Sequence, residues 1–243
     1  MTESDIVTGE QAARPEGGPA LSKTHRTRHR RLREQGRSER GDLLAVLRAG
    51  FIAHLGVLTG DAPMVVPTSY GFDDQTLFLH GSVASQSLRT DRPAPVCVTI
   101  TLVDGLVLAR SVFDHAVNYR SAMIYGVPRL VTDPDEKLYG LRLLSERLAP
   151  GQWDYVRQPL RKELAATALL ALPLDEASVK VRTGPPDDAD SPDAPPGLWA
   201  GVLPLNCVWG EPEPAPEIPA GLTVPGHIAA RAGMPAFGVP PTS

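Results

Sequence analysis

The 243-residue sequence predicts a mainly β protein: an antiparallel barrel with a few peripheral helices. Three observations predict it. Glycine and proline are frequent, at 22 and 25 positions, which excludes an all-helical bundle because proline lacks the amide that a helix interior uses. Six or more short apolar runs are separated by turn residues, the pattern of hairpin-linked strands closing on themselves. Long helical periodicity is confined to two segments. Hydrophobic residues make up 42% of the chain, enough to build a sizeable core.

The elements follow in order. Residues 38–48 read as a helix, with Ser38 placed to cap it and Leu43, Leu44 and Leu47 on one face. Residues 51–58 form a short apolar strand, 59–62 a turn, and 64–72 the returning strand. Pro67 removes one ladder donor, so that strand must lie at an edge there or bulge. A third strand spans 76–80, and a short helix with Ser82 at its start spans 82–89. In 96–103 the residues Val96, Val98, Ile100 and Leu102 alternate with Cys97, Thr99 and Thr101, which sets two strand faces. Asp104-Gly105 is a tight-hairpin signal, with 106–110 returning. A long strand follows over 119–131. Pro134 opens a helix over 134–148 that carries Leu138, Leu141, Leu144 and Leu148 at helical spacing. Strands over 167–174 and 178–182 complete the barrel.

Charge is unevenly placed on a chain whose net charge is only −4. Residues 23–40 hold eight cations against two acids, and residues 187–243 hold seven acids against Arg231 alone. Residues 1–22 are expected as a disordered tail, 23–205 as the barrel with its basic arm, and 206–243 as an acidic, proline-rich tail. Within that tail, 211–217 reads as extended and solvated. The arm has no interleaved aromatics, and no helix-turn-helix or zinc pattern follows it. It therefore reads as solvated or folded onto a partner subunit, and nucleic acid is not expected as a partner. No signal-peptide core and no apolar run of roughly 20 residues is present, and two cysteines cannot staple the fold; the expectation is a cytoplasmic protein with no membrane contact.

No metal-ligand spacing, nucleophile elbow or phosphate-cradling Gly-rich motif is present, so redox or transfer chemistry would need a bound cofactor. Three segments could hold a flat, anionic one. His80, Gly81, Ser82, Ser85 and Arg89 combine close backbone approach, hydroxyls and a cation. The run Asp114 to Ser121 contains His115, Asn118, Tyr119, Arg120 and Ser121, a dense set of donors with a guanidinium suited to phosphate. Lys180 and Arg182 share one strand face, and Trp199 either stacks on a ring or belongs to the core.

The ordered series His80-Gly81-Ser82 with Ser85, the run 95–110, Asn118-Tyr119-Arg120-Ser121, 133–137, Trp153 with Arg157-Gln158-Pro159, 163–167, 178–182 and 199–204 resembles the flavin-nucleotide-binding branch of the pyridoxamine 5′-phosphate oxidase-like family. The likeness covers roughly residues 26–205. It implies an FMN-binding split β-barrel, a homodimer with FMN at the subunit interface, and an FMN-dependent oxidoreductase acting on a small-molecule substrate. The alternative within the family is a non-catalytic binding or carrier protein for a flavin, a deazaflavin coenzyme or haem. The resemblance implies that Ser82, Ser85, Arg89, Arg120 and Ser121 hold the phosphate and ribityl chain. It puts Pro67, Thr68, Ser69 and Tyr70 along the ring edge, adds His80, Gly81, Asn118, Lys180 and Trp199 to the cofactor set, and makes His115 and Tyr119 the proton donors. Under the haem alternative, His54, His80 or His115 would be the axial ligand.

Overall fold

The computed structural model describes residues 20–82, 94–188, 195, 197–219 and 221–238. In chain order the elements are β1 (Gly36–Arg37), α1 (Arg40–Ala49), β2 (Ile52–Thr59), β3 (Ala62–Phe72), β4 (Thr76–Ser82), β5 (Val96–Leu108), β6 (Ala116–Gly126), β7 (Arg129–Leu130), α2 (Pro134–Leu148), α3 (Gln152–Tyr155), α4 (Arg161–Ala166), β8 (Thr167–Pro173), β9 (Ala177–Arg182), β10 (Gly201–Pro204) and α5 (Gly226–Ala229). The strands join in the order β1-β9-β6-β5-β2-β3-β4-β8-β7, with β10 pairing the outer part of β5, and every pairing is antiparallel. The expected barrel is present as a curled half-barrel, the split form.

The principal core fills the concave side. Leu43 and Leu47 of α1 meet Leu55, Tyr70, Leu79, Ile100, Ile124, Leu170 and Leu172, all nearly without exposed surface. A smaller core lies behind, where Leu144 of α2 packs on Phe78, Val131, Leu169 and Ala171. Asp133 caps α2 by accepting from the Glu136 amide, and Pro134 occupies the first turn, where a missing amide costs nothing.

Two expectations are corrected. Asp104-Gly105 is not a hairpin: β5 runs straight through it, and the register against β6 slips between Val103 and Gly105, a β-bulge. Burial follows even positions up to Leu102 and odd positions from Gly105 on, which is what one extra residue does to a strand. Gly105 is needed for closeness, since a Cβ there would sit 2.9 Å from the Leu203 carbonyl oxygen of β10. Ser82 is the last residue of β4, paired with Thr167; the helix expected to start there, with Ser85 and Arg89, lies outside the described residues. The terminal segments are also not simply solvated. Leu21 is buried and hydrogen-bonds to Ser38, and the arm docks on its own chain through Thr24 and Arg26 to Glu176. The C-terminal segment folds back, with Trp209 edge-on to Phe51 at 5.4 Å and Arg231 over the Trp209 ring.

Pro67 behaves as its chemistry requires. Residues 62–69 of β3 pair with β2, whereas β4 pairs only with Tyr70 to Phe72. Pro67 therefore lies on a strand with one open edge among the described residues.

Candidate functional site

Strand alternation sorts the expected site residues into separate places. On the outer, convex face, register aligns Pro67 with His54 and Thr99, and Ser69 with Ile52; Thr101 aligns with Ser121 and Lys180, and Tyr119 with Arg182. Pro67, Ser69, Tyr119, Ser121 and Lys180 therefore share one surface, although they come from three segments of sequence. Thr68 alternates to the other side, opposite buried Ala53, and its hydroxyl donates to the Ser69 carbonyl.

The outer face is open at its centre and roofed at one edge. The basic arm crosses over β6 and β9 and encloses a groove of about 460 Å3 floored by Tyr119, Ser121, Met123, Tyr125 and Lys180. Arg26 fixes the arm there: it pairs with Glu176 and stands 5.3 Å over the Tyr125 ring. The Glu176 contact raises the Arg26 guanidinium further and holds the carboxylate below its ordinary value, while burial pushes the Tyr125 phenol up.

Tyr70 and Arg120 are not on this surface. Tyr70 is buried in the principal core, its hydroxyl donating to the Leu47 carbonyl at 2.8 Å, and burial pushes the phenol up to about 12. Its side chain belongs to the core, which leaves only its backbone for the ring edge. Arg120 points to the inner side, where its Nε lies 2.9 Å and its Nη2 2.7 Å from the Asp104 carboxylate. Both side chains are under a tenth exposed, and Nη2 also donates to the Phe237 carbonyl. The guanidinium is engaged with the bulge and the C-terminal segment, so the structure gives it no free fork for a phosphate. Asn118 is likewise buried, donating to the Gly184 carbonyl and accepting from Arg182.

The remaining expected residues lie toward the strand ends. His80 and Gly81 pair with Leu169 and Ala168 of β8. Desolvation lowers the His80 imidazole below its ordinary value, although the residue keeps exposed surface. His115 is exposed at the entry to β6; its Nδ1 accepts from the Ala109 amide at 3.0 Å, which places the proton on Nε2 and turns a donor outward. Trp199 is 68% exposed, which removes the core reading for that ring.

Sequence reasoning missed Asp104 as the partner of Arg120, and missed the arm as part of the groove. The first was hidden by reading Asp-Gly as a turn. The second carried a signal: Arg26, Arg28 and Arg30 recur at every second position, the period that puts side chains on one side of an extended segment. Among the described residues, no group of His, Cys, Asp and Glu is arranged to hold a metal, and no helix is long and apolar enough to cross a membrane.

Comparison with known proteins agrees with the geometry. The family model for pyridoxamine 5′-phosphate oxidase matches residues 39–181. The flavocytochrome Anf3 from Azotobacter vinelandii is 35% identical, with a TM-score of 0.80, 86% of this chain covered and 97% of that one. A FAD and haem binding protein from Mycobacterium smegmatis is 36% identical, with a TM-score of 0.78, 84% of this chain covered and 100% of that one. Among curated proteins nothing matches. With the model spanning β2 to β9 and both solved structures matched nearly end to end, the chain belongs to the pyridoxamine 5′-phosphate oxidase-like family of flavin-binding split barrels.

Proposed function

We propose that this protein is a flavin-nucleotide-dependent oxidoreductase acting on a small molecule, with the barrel of residues 23–205 as the cofactor-binding unit. The carrying observation is the outer sheet face. It sets the Ser69, Thr99, Thr101 and Ser121 hydroxyls and the Lys180 ammonium on one surface, open at Ser69 and Thr99 and roofed by the arm at Ser121 and Lys180, beside a backbone edge of β3 that is unpaired among the described residues. That donor set fits a flavin. The open β3 edge at Pro67 to Ser69 offers backbone groups to a ring rim, and Ser121, Lys180 and the His80-Gly81-Ser82 end of β4 offer donors to an anionic tail. When bound, the flavin supplies the hydride and one-electron chemistry that no side chain here can perform. The chain's own residues orient it, hold its charge and deliver protons. His115 presents Nε2–H outward and Tyr119 faces the groove, so these two remain the candidate proton donors. Arg120, through Asp104, sets the shape of the bulge rather than touching the cofactor.

The likeness to a flavocytochrome and to a FAD and haem binding protein supports a second bound group, a haem. Of the three histidines considered as its ligand, His54 fits best. It is exposed on the outer face, and no hydrogen bond engages its ring among the described residues. His115 fits poorly, because a ligating Nε2 must be free of its proton and the Ala109 amide holds the opposite tautomer. Exposed Ile52, Val65, Val103 and Leu203 on the outer side support burial against a second copy, a homodimer with the cofactor at its seam. Two free cysteines agree with a reducing cytoplasm.

The test is reconstitution. Purified protein is mixed with FMN, FAD and haem, and spectra and light scattering are recorded. The expected result is a flavin spectrum on a dimer, with a Soret band lost in His54→Ala and kept in His115→Ala. A protein that takes up neither flavin overturns the reading. Consumption of a reduced nicotinamide with an added electron acceptor distinguishes an oxidoreductase from a passive carrier.

A further inference from the structure

We propose that the groove between the basic arm and the outer sheet face holds the adenosine diphosphate portion of a dinucleotide. The inference deepens the flavin reading and rests on it, because the groove shares Tyr119, Ser121 and Lys180 with the surface assigned to the flavin.

The argument begins with charge. Arg28, Arg30 and Arg31 line the groove from the arm and Lys180 lines it from β9, while no carboxylate lines it. Arg26 is matched by Glu176, but among the described residues none of the other four has a hydrogen-bonded or ion-paired partner. Four uncompensated cations around one cavity repel one another, and an anion between them relieves that repulsion. Guanidinium forks fit phosphate oxygens two at a time, so the arrangement suits a diphosphate better than one monoester.

The floor adds the rest. Tyr119, Ser121, Met123 and Tyr125 occupy alternate positions of β6 and so stand on one face. Six residue steps extend over about 20 Å, long enough for a diphosphate and a nucleoside. Tyr125 carries the Arg26 guanidinium over one face of its ring and Met123 beside it, its hydroxyl 3.7 Å from the Met123 sulfur, and a planar guanidinium on an aromatic ring is itself a platform on which a purine stacks whatever its edge pattern. A cavity of about 460 Å3 is within the usual size of small-molecule clefts.

An adenosine diphosphate moiety has two sources here, a flavin dinucleotide or a nicotinamide dinucleotide acting as reductant. Calorimetric titration of the full-length protein with ADP, FMN, FAD and NADPH separates them when repeated on the triple variant Arg28→Ala, Arg30→Ala, Arg31→Ala. These side chains are exposed and bond to nothing described, so the variant is expected to stay folded; single Arg30→Glu serves if it does not. The expected result is saturable ADP binding that weakens with salt and loses at least roughly tenfold in affinity in the variant, with FMN affinity unchanged. Loss of FAD affinity alone identifies the flavin dinucleotide, and loss of NADPH affinity alone the nicotinamide one. ADP that does not bind, or binds the variant equally well, overturns the proposal. So does duplex DNA that binds through the same arginines while ADP does not. Protein that binds ADP through these arginines yet takes up no flavin keeps the groove and overturns only the flavin reading.

Discussion

Replacing Arg120 by alanine separates two roles for a residue that the sequence placed on a phosphate. In the fold Arg120 makes a two-pronged contact with Asp104, with both side chains under a tenth exposed. Removing the guanidinium leaves a carboxylate buried without its counter-charge. Breaking a buried pair from one side costs about 3–5 kcal/mol, because the desolvation already imposed on the survivor is no longer offset. For a chain of this length each kcal/mol moves Tm by roughly 2–4 °C, so a fall of about 6–20 °C is expected by differential scanning calorimetry. Arg120→Ala combined with Asp104→Ala removes the stranded charge and should recover part of that loss, a coupling measurable as a double-mutant cycle. FMN affinity, measured below the lowered Tm, should change less than threefold. An Arg120→Ala protein that melts within about 2 °C of wild type but loses tenfold or more in FMN affinity would refute this reasoning and return Arg120 to the phosphate.

Three further outcomes are expected. The Tyr70 phenol ionises near 10 in the unfolded chain but is pushed up to about 12 by burial, so the unfolded state loses its proton first. Stability is then intact below pH 10 and falls between pH 10 and 12 by about 2–3 kcal/mol, and urea midpoints across that window should fall less steeply in Tyr70→Phe. Gly140→Ala in α2 should destabilise by about 1–3 kcal/mol in chemical denaturation, despite a helix-propensity gain of about 1 kcal/mol. The reason is that its Cβ would meet Leu169 at 2.6 Å and Phe78 at 2.9 Å; a stabilised variant would mean that α2 stands further from the sheet. Trp209→Ala should cost about 1–3 kcal/mol from the lost Phe51 and Arg231 ring contacts, read as faster proteolysis after residue 206 with the barrel left intact.

Much of the fold was legible because it is written in short-range patterns. Pro134 with its leucine spacing marks α2 to the residue, and the alternation in 96–102 gives both faces of β5. Pro67 announced an open edge. What could not be read locally depends on partners far along the chain. Asp104-Gly105 favours a turn in any dipeptide scale, yet it is a bulge, because Arg120 sixteen residues on claims the carboxylate and β10 presses on the glycine from nearly a hundred residues away. The candidate site shows the same division. The candidate residues came from one donor-rich run, but strand parity sends Tyr119 and Ser121 outward and Asn118 and Arg120 inward, and parity on β6 is fixed only once its register with β5 is known.

The two charged terminal segments then acquire a common logic that composition hides. Their opposite charges invite mutual attraction, but each closes a different opening of the half-barrel. The arm covers the β9 edge, held by Glu176 and Tyr125, and leaves Arg28, Arg30 and Arg31 facing the groove. The tail covers the end near the bulge, held mainly by Trp209, Phe237 and Arg231 rather than by its carboxylates. Phe237 gives its carbonyl to the same guanidinium that pairs with Asp104, so tail, bulge and buried ion pair are one mechanical unit. If the acids of 211–217 do not hold the tail down, high salt should leave it docked. The same salt should weaken any anion held by the exposed arginines of the arm, because those charges face solvent and the Debye length falls from about 10 Å at 0.1 M to about 3 Å at 1 M. The fold thus places its salt-sensitive contacts where a ligand would be exchanged and its salt-insensitive ones where the barrel must stay shut.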